Sequence, residues 1–188
     1  MKDQKLLSSE QIQEFSQNGF IKVEGFYDLQ AEIEPIQRDI HKIIGILIDK
    51  YRLPISQNAF SPTTFDSGYQ QLIAYDRKIG GEIYDAVKQI PAFVRLVTSE
   101  KNTQVFSQLR KNCFPGIAAG GYGIRIDNPG EEKFRAPWHQ EYPAQFRSMD
   151  GLVFWSSLVA LTPELGPVAL SVGSHKKGVL RIHMKDPK

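Results

Sequence analysis

From Asp28 to about Tyr51 the apolar residues Ile33, Ile36, Ile40, Ile43, Ile44 and Leu47 recur three and four apart. That spacing stacks them on one face of a long amphipathic helix. Pro35 fits only in the first turn, so the helix should begin near Glu32 to Glu34. Upstream, Ser8-Ser9-Glu10-Gln11 has the form of a capping box with Leu7 as its staple, and the short helix it opens, carrying Ile12 and Phe15, should stop at Asn18-Gly19. Phe20 to Phe26 alternates apolar and polar residues, the pattern of a half-buried strand. Arg52 to Ser67 is turn-rich and predicts a loop. Tyr69 to Ile79, Glu82 to Ile90 and Pro91 to Arg110 predict helices, interrupted at Gly80-Gly81 and restarted at Pro91.

Past Arg110 the pattern changes to short apolar runs separated by Gly and Pro, which signals strands. The predicted strands are Ile117 to Ile126, the stretch around His139, Leu152 to Leu161, and Val168 to Val172. Asp127-Asn128-Pro129-Gly130, Thr162 to Pro167 and Gly173 to Gly178 supply the turns, and Glu131 to Ala136 a polar loop. Helices first and strands afterwards predict an α+β fold, an antiparallel sandwich with helices packed on it.

Composition narrows the function classes. The chain has 188 residues, enough for one domain with a substantial core, and is 41% hydrophobic and 23% charged, as expected of a globular protein. Its net charge of +2 gives no bulk attraction to nucleic acid or to a membrane surface. The single cysteine, Cys113, excludes an internal disulfide and a multi-cysteine metal cluster. With no signal-like start and no stretch long enough to span a bilayer, the expectation is a cytoplasmic protein.

The chemistry centres on Pro137-Trp138-His139-Gln140-Glu141. If that stretch is extended, alternation puts His139 and Glu141 side by side on one face. A histidine and a carboxylate so placed are two thirds of a facial 2-His-1-carboxylate set, which leaves open positions on iron(II). A hydrogen-bonded surface histidine accounts for the same pair. Gly120-Gly121-Tyr122-Gly123 lacks the spacing of a phosphate loop and reads as a strand kink or a close backbone contact. No Gly-x-Ser-x-Gly elbow is present, and no histidine neighbours Cys113, so nucleophilic hydrolysis has little support. His41, beside Lys42 and off the isoleucine stripe, reads as a solvated histidine.

The order Trp138-His139-Gln140-Glu141, then Leu152 to Leu161 with Trp155, then Thr162-Pro163-Glu164-Leu165-Gly166-Pro167-Val168, then Gly173-Ser174-His175-Lys176-Lys177-Gly178 resembles the phytanoyl-CoA dioxygenase (PhyH) family. Leu7 to Phe15 and Asn18 to Ile21 resemble the family's opening helix and strand. The resemblance implies a double-stranded β-helix core, jelly-roll or cupin-like, in residues 111–188, with the mostly helical residues 1–110 packed on it as one domain. It implies iron(II), 2-oxoglutarate as cosubstrate, dioxygen, and hydroxylation of a small organic molecule. It makes His139 the first histidine ligand and Glu141 the carboxylate, where the family usually has Asp. A carboxylate at that position argues against a halogenating variant. Trp155 matches a position where the family has an aromatic residue near the cosubstrate, although core packing accounts for it equally; Ile124 falls where a family strand lines the cosubstrate pocket, with Arg125 next to it on the opposite face, and His175 falls on a structural turn.

The family's distal histidine and its cosubstrate arginine come after further strands. The resemblance therefore implies that those strands lie beyond Lys188, and that the barrel of residues 111–188 alone is incomplete and could be inactive. His183 is the remaining downstream candidate for the third ligand, but it follows the Gly173 turn closely and no arginine comes after it. Exposed strand edges would favour self-association, so a homo-oligomer is a further expectation. The rival readings are a non-catalytic jelly-roll binding protein or degenerate relative, and a metal-dependent cupin enzyme that uses no 2-oxoglutarate.

Overall fold

The computed structural model describes residues 6–111, 114–118, 120–144 and 148–181. Ser8 caps the first helix, α1 (Ser9–Asn18), through a complete capping box: its Oγ accepts the Gln11 N–H, and the Gln11 side chain accepts the Ser8 N–H. Leu7 is buried beside it, and Gly19 ends the helix in the left-handed region at φ 84°. The alternating stretch after Gly19 forms no strand; it runs irregularly into a tight turn at Glu24 and Gly25.

Asp28 then caps a single π turn, Leu29–Ile33, by accepting the N–H groups of Gln30 and Ala31, and α2 (Glu34–Lys50) follows with Pro35 in its first turn. The predicted stripe is the buried face of α2. Ile36, Ile40, Ile44 and Leu47 are nearly or wholly enclosed, with Ile48 beside them.

The helices around α2 are α3 (Tyr69–Tyr75), α4 (Arg77–Val87), α5 (Pro91–Val97) and α6 (Glu100–Leu109). The break expected at Gly80-Gly81 lies instead at Asp76, and both glycines sit inside α4. Asp76 is extended and its carboxylate accepts the Lys78 N–H, so a capping residue resets the helix where helix propensity alone would have broken it later. Gly80 faces Arg77 and Ile73 with no room for a Cβ, while Gly81 faces open space.

Leu72, Ile79, Ile83 and Val87 join the α2 stripe in one core with Ile90 and Phe93. Asn102 is buried in α6 with its amide fully engaged: it donates to the carbonyls of Leu96 and Val97 and accepts the Tyr27 hydroxyl. Burial pushes the Tyr27 phenol above its ordinary range, against the opposing pull of the Asn102 hydrogen bond.

The expected jelly roll is not there. Among the described residues no β-strand occurs, and the interpretable architecture is helical. Ile117 to Ile126, Leu152 to Leu161 and Val168 to Val172 lack strand pairing, and the stretch around His139 bends at Trp138 instead of running as a buried strand. Alternation can say which side of a strand would be buried, but a strand exists only when a neighbour takes its backbone N–H and C=O groups. In 152–161 such groups are taken by side chains. Ser157 Oγ both donates to the Val159 carbonyl and accepts the Val159 N–H, and Gln37 Nε2 on α2 donates to the Leu158 carbonyl at 2.6 Å.

Packing follows the same division. Among the described residues after Leu109, Ile124 is the fully buried one; it joins the helical core, with Tyr122, Ile126 and Leu158 packed partly against that core. Tyr122 meets Phe93 edge to face, 6.1 Å between ring centroids. Val153, Phe154, Trp155, Val168, Leu170 and Val172 are exposed.

Candidate functional site

His139 and Glu141 do come together. His139 lies between the bend at Trp138 and a short helical turn, Glu141–Ala144, that is interrupted by non-helical dihedrals at Tyr142. Its Nδ1 is 2.7 Å from the Pro137 carbonyl, and its Nε2 is 3.4 Å from Glu141 Oε1. A carbonyl can only accept, so Nδ1 carries the proton in this contact. A neutral ring in that tautomer leaves the Nε2 lone pair on the carboxylate side, the arrangement that lets a histidine ligate a metal. The two side chains are 45% and 33% exposed, so the pair opens to solvent.

Gln140, between them, faces other partners. Its Nε2 donates to the Gly178 carbonyl at 2.9 Å, and its Oε1 accepts the Leu180 N–H at 2.8 Å. Sequence reasoning passed over this residue, because an amide between two candidate ligands has no motif of its own.

Among the described residues, two donors are what this site presents. Among the described residues no group of three or more His, Cys, Asp or Glu side chains could hold a metal ion together. Cys113 and His183 lie outside the described residues. The residues expected around a cosubstrate are dispersed in character. Ile124 is buried against the helices, Arg125 pairs with Asp127 at 2.7 Å, and Trp155 is 53% exposed. None of the three takes part in the contacts of His139 and Glu141 given above.

His175 is far from metal chemistry. Its Nε2 is 3.1 Å from the Ser16 carbonyl, and its ring lies where a Cβ on Gly19 would stand. The Gly173 N–H donates to the Asn18 carbonyl at 2.8 Å, so the 173–177 turn closes the C-terminal end of α1. His41 Nε2 meets the Asn58 carbonyl, and burial together with the Arg38 charge holds its pKa below the ordinary imidazole value.

Earlier in the chain, an ionic cluster ties residues 128–131 to the helices. Arg77 of α4 grips Glu131 through two hydrogen bonds of 2.5 and 2.9 Å. Asn128 also donates to Glu131 and in turn accepts from Gln70 of α3. The Arg77 hydrogen bonds, reinforced by Asn128, hold the Glu131 carboxyl below its ordinary range. This cluster fixes the Asn128-Pro129-Gly130 turn against α3 and α4.

A family model for phytanoyl-CoA dioxygenase (PhyH) matches residues 15–188. The chain belongs to the PhyH family. PhyH proteins are of the iron(II)- and 2-oxoglutarate-dependent dioxygenase kind, so a PhyH assignment makes this chain a dioxygenase-type oxidoreductase. No curated protein and no solved structure matches it. The donor chemistry of the pair suits such a metal, since an imidazole nitrogen and a carboxylate oxygen are two of the donor types that a non-haem iron(II) site would take. Among the described residues, no helix is long and apolar enough to cross a membrane.

Proposed function

We propose that this PhyH protein hydroxylates a small organic molecule, with His139 and Glu141 as two of its iron ligands. The observation that supports this most is the contact between the two side chains, with Nδ1–H of His139 donating to the Pro137 carbonyl and Nε2 turned toward Glu141. When bound, iron would supply the oxygen chemistry and the chelation of 2-oxoglutarate, while the protein contributes placement and electrostatics.

In that reading His139 acts as a neutral donor. Its Nδ1–H stays engaged with Pro137, which orients the ring and raises the basicity of Nε2. Glu141 supplies the negative charge that an iron(II) site needs, and its extra methylene relative to aspartate carries the oxygens further from the backbone. Arg125 is proposed as a neighbour of the cosubstrate site that a carboxylate could meet, apart from the family's cosubstrate arginine, which is expected beyond Lys188. Its ion pair with Asp127 is half-exposed on both sides, and such pairs contribute about 0 to 1 kcal/mol, so a carboxylate can compete for it. Trp155 is proposed as an aromatic wall of the cosubstrate site, and Ile124 as its support from the core.

The test is succinate release from 2-oxoglutarate under air with iron(II). His139→Ala and Glu141→Ala should each lower it by at least about a hundredfold, as expected when a metal site loses a ligand. Retained iron-dependent turnover in His139→Ala would overturn the reading.

A second reading is a non-catalytic family member that holds a ligand without turning it over. It is favoured by the absence, among the described residues, of a third donor beside the pair. Anaerobic titration with iron(II) and 2-oxoglutarate separates the two. Growth of a visible charge-transfer band supports the oxygenase, and its absence supports the binding protein.

A further inference from the structure

We infer that Gln140 is a positioning residue for the His139 and Glu141 pair, acting as a side-chain substitute for the backbone pairing that this stretch lacks; the inference rests on the metal-binding reading above. An isolated stretch with two ligands on it is a poor chelator, because each degree of freedom it retains must be lost when metal binds. His139 and Glu141 are held by local contacts only, one to Pro137 and one to each other. Among the described hydrogen bonds of residues 136–144, those made by Gln140 are the ones that reach outside the stretch.

Their form is informative. One amide uses its donor on the Gly178 carbonyl and its acceptor on the Leu180 N–H, a carbonyl and an N–H two residues apart on either side of the bend at Val179. A neighbouring strand offers a backbone donor and acceptor to just such a spacing. Both bonds are well formed, at 2.9 and 2.8 Å, and satisfying both ends of the amide fixes its plane as well as its position. Since Gln140 is bonded to both ligand residues through the chain, fixing its side chain fixes the backbone from which the ligands project.

Cobalt(II) serves as the probe, because its visible spectrum reports ligand number and its binding can be titrated without turnover. Wild type, His139→Ala, Gln140→Leu and Gln140→Glu are compared, with Gln37→Leu as a variant that loosens the fold elsewhere. Gln140→Leu should weaken cobalt binding about tenfold or more. Gln140→Glu, which keeps the acceptor for Leu180 and loses the donor for Gly178, should fall between it and wild type. Gln37→Leu should lower the thermal midpoint and leave cobalt affinity unchanged.

If His139→Ala abolishes cobalt binding and both Gln140 variants bind as wild type does, the positioning role is overturned and the metal reading stands. Cobalt binding that is indifferent to His139→Ala overturns the metal reading and this inference with it. A Gln140 variant that loses stability but not affinity also overturns the inference. Should Gln140→Leu fail to fold, Gln140→Glu carries the comparison alone.

Discussion

Two apolar patterns of similar strength meet different fates in this chain. The stripe of α2 is enclosed: Ile36, Ile40 and Ile44 are at most 2% exposed. Leu158 apart, the large apolar side chains from Val153 to Leu161 and those of Val168, Leu170 and Val172 are 41% to 66% exposed. The difference lies in where each element finds its hydrogen bonds. A helix satisfies its backbone within itself and needs a neighbour only for its apolar face, whereas a strand needs a neighbour for both. The accessible surface reflects this, at 13,989 Å² against about 9,100 Å² for a folded monomer of this mass.

The sharpest way to break that comparison is to truncate the same kind of side chain in both regions. Ile40→Ala or Ile83→Ala should cost about 2 to 5 kcal/mol of unfolding free energy, since each is fully packed in the core. Val168→Ala or Leu170→Ala should stay within about 0.5 kcal/mol, as for surface positions. Urea titration followed by circular dichroism reads both, and equal costs would mean that the C-terminal runs are packed after all.

Next in size is Gln37→Leu, expected to cost about 1 to 3 kcal/mol because it leaves the Leu158 carbonyl without its α2 donor. Its distinctive mark is faster limited proteolysis between residues 150 and 165 with the helical signal retained. Gly19→Ala should follow at about 1 to 2 kcal/mol, since it places a side chain at φ 84° and displaces the His175 ring.

The smallest effect is ionic. Glu131 has a folded pKa below its unfolded value, so its contribution is present above the unfolded carboxylate range and is lost as pH falls through the folded pKa. His41, also depressed, contributes above the ordinary imidazole value and loses that contribution as pH falls below it. Thermal midpoints measured from pH 7 downward should therefore show a shallow decline near pH 6 that His41→Gln removes, and a later one below pH 5 that Arg77→Met reduces.

What could be read from the residues follows the same boundary. The capping box at Ser8, the left-handed stop at Gly19, Pro35 in the first turn and the isoleucine stripe are local signals, and the structure carries all of them. The break at Asp76 was missed, because Gly80-Gly81 drew the boundary while the Asp76 carboxylate, which takes the Lys78 N–H, sets it. Strands were not legible as strands, because their existence depends on partners that period-two alternation does not specify. At the site, the His139 and Glu141 pairing follows from two-residue spacing, and the contact is present although the sheet expected to carry it is not. Gln140 was illegible for the opposite reason: its meaning lies in backbone groups 38 and 40 residues away.

The seat of His175 against α1 has a bearing on the order of folding. The hydrogen bond from its ring to Ser16 joins residues 159 positions apart. The capping box of α1 can form as soon as its own few residues leave the ribosome, but the Ser16 and Asn18 carbonyls at its other end must wait for residues 173 to 175. At synthesis rates of about 5 to 20 residues per second, that wait is roughly 8 to 30 seconds, long beside the sub-microsecond to microsecond time of helix formation. During it the helix has a finished beginning and an unfinished end, and the arrival of the Gly173 turn is what closes it.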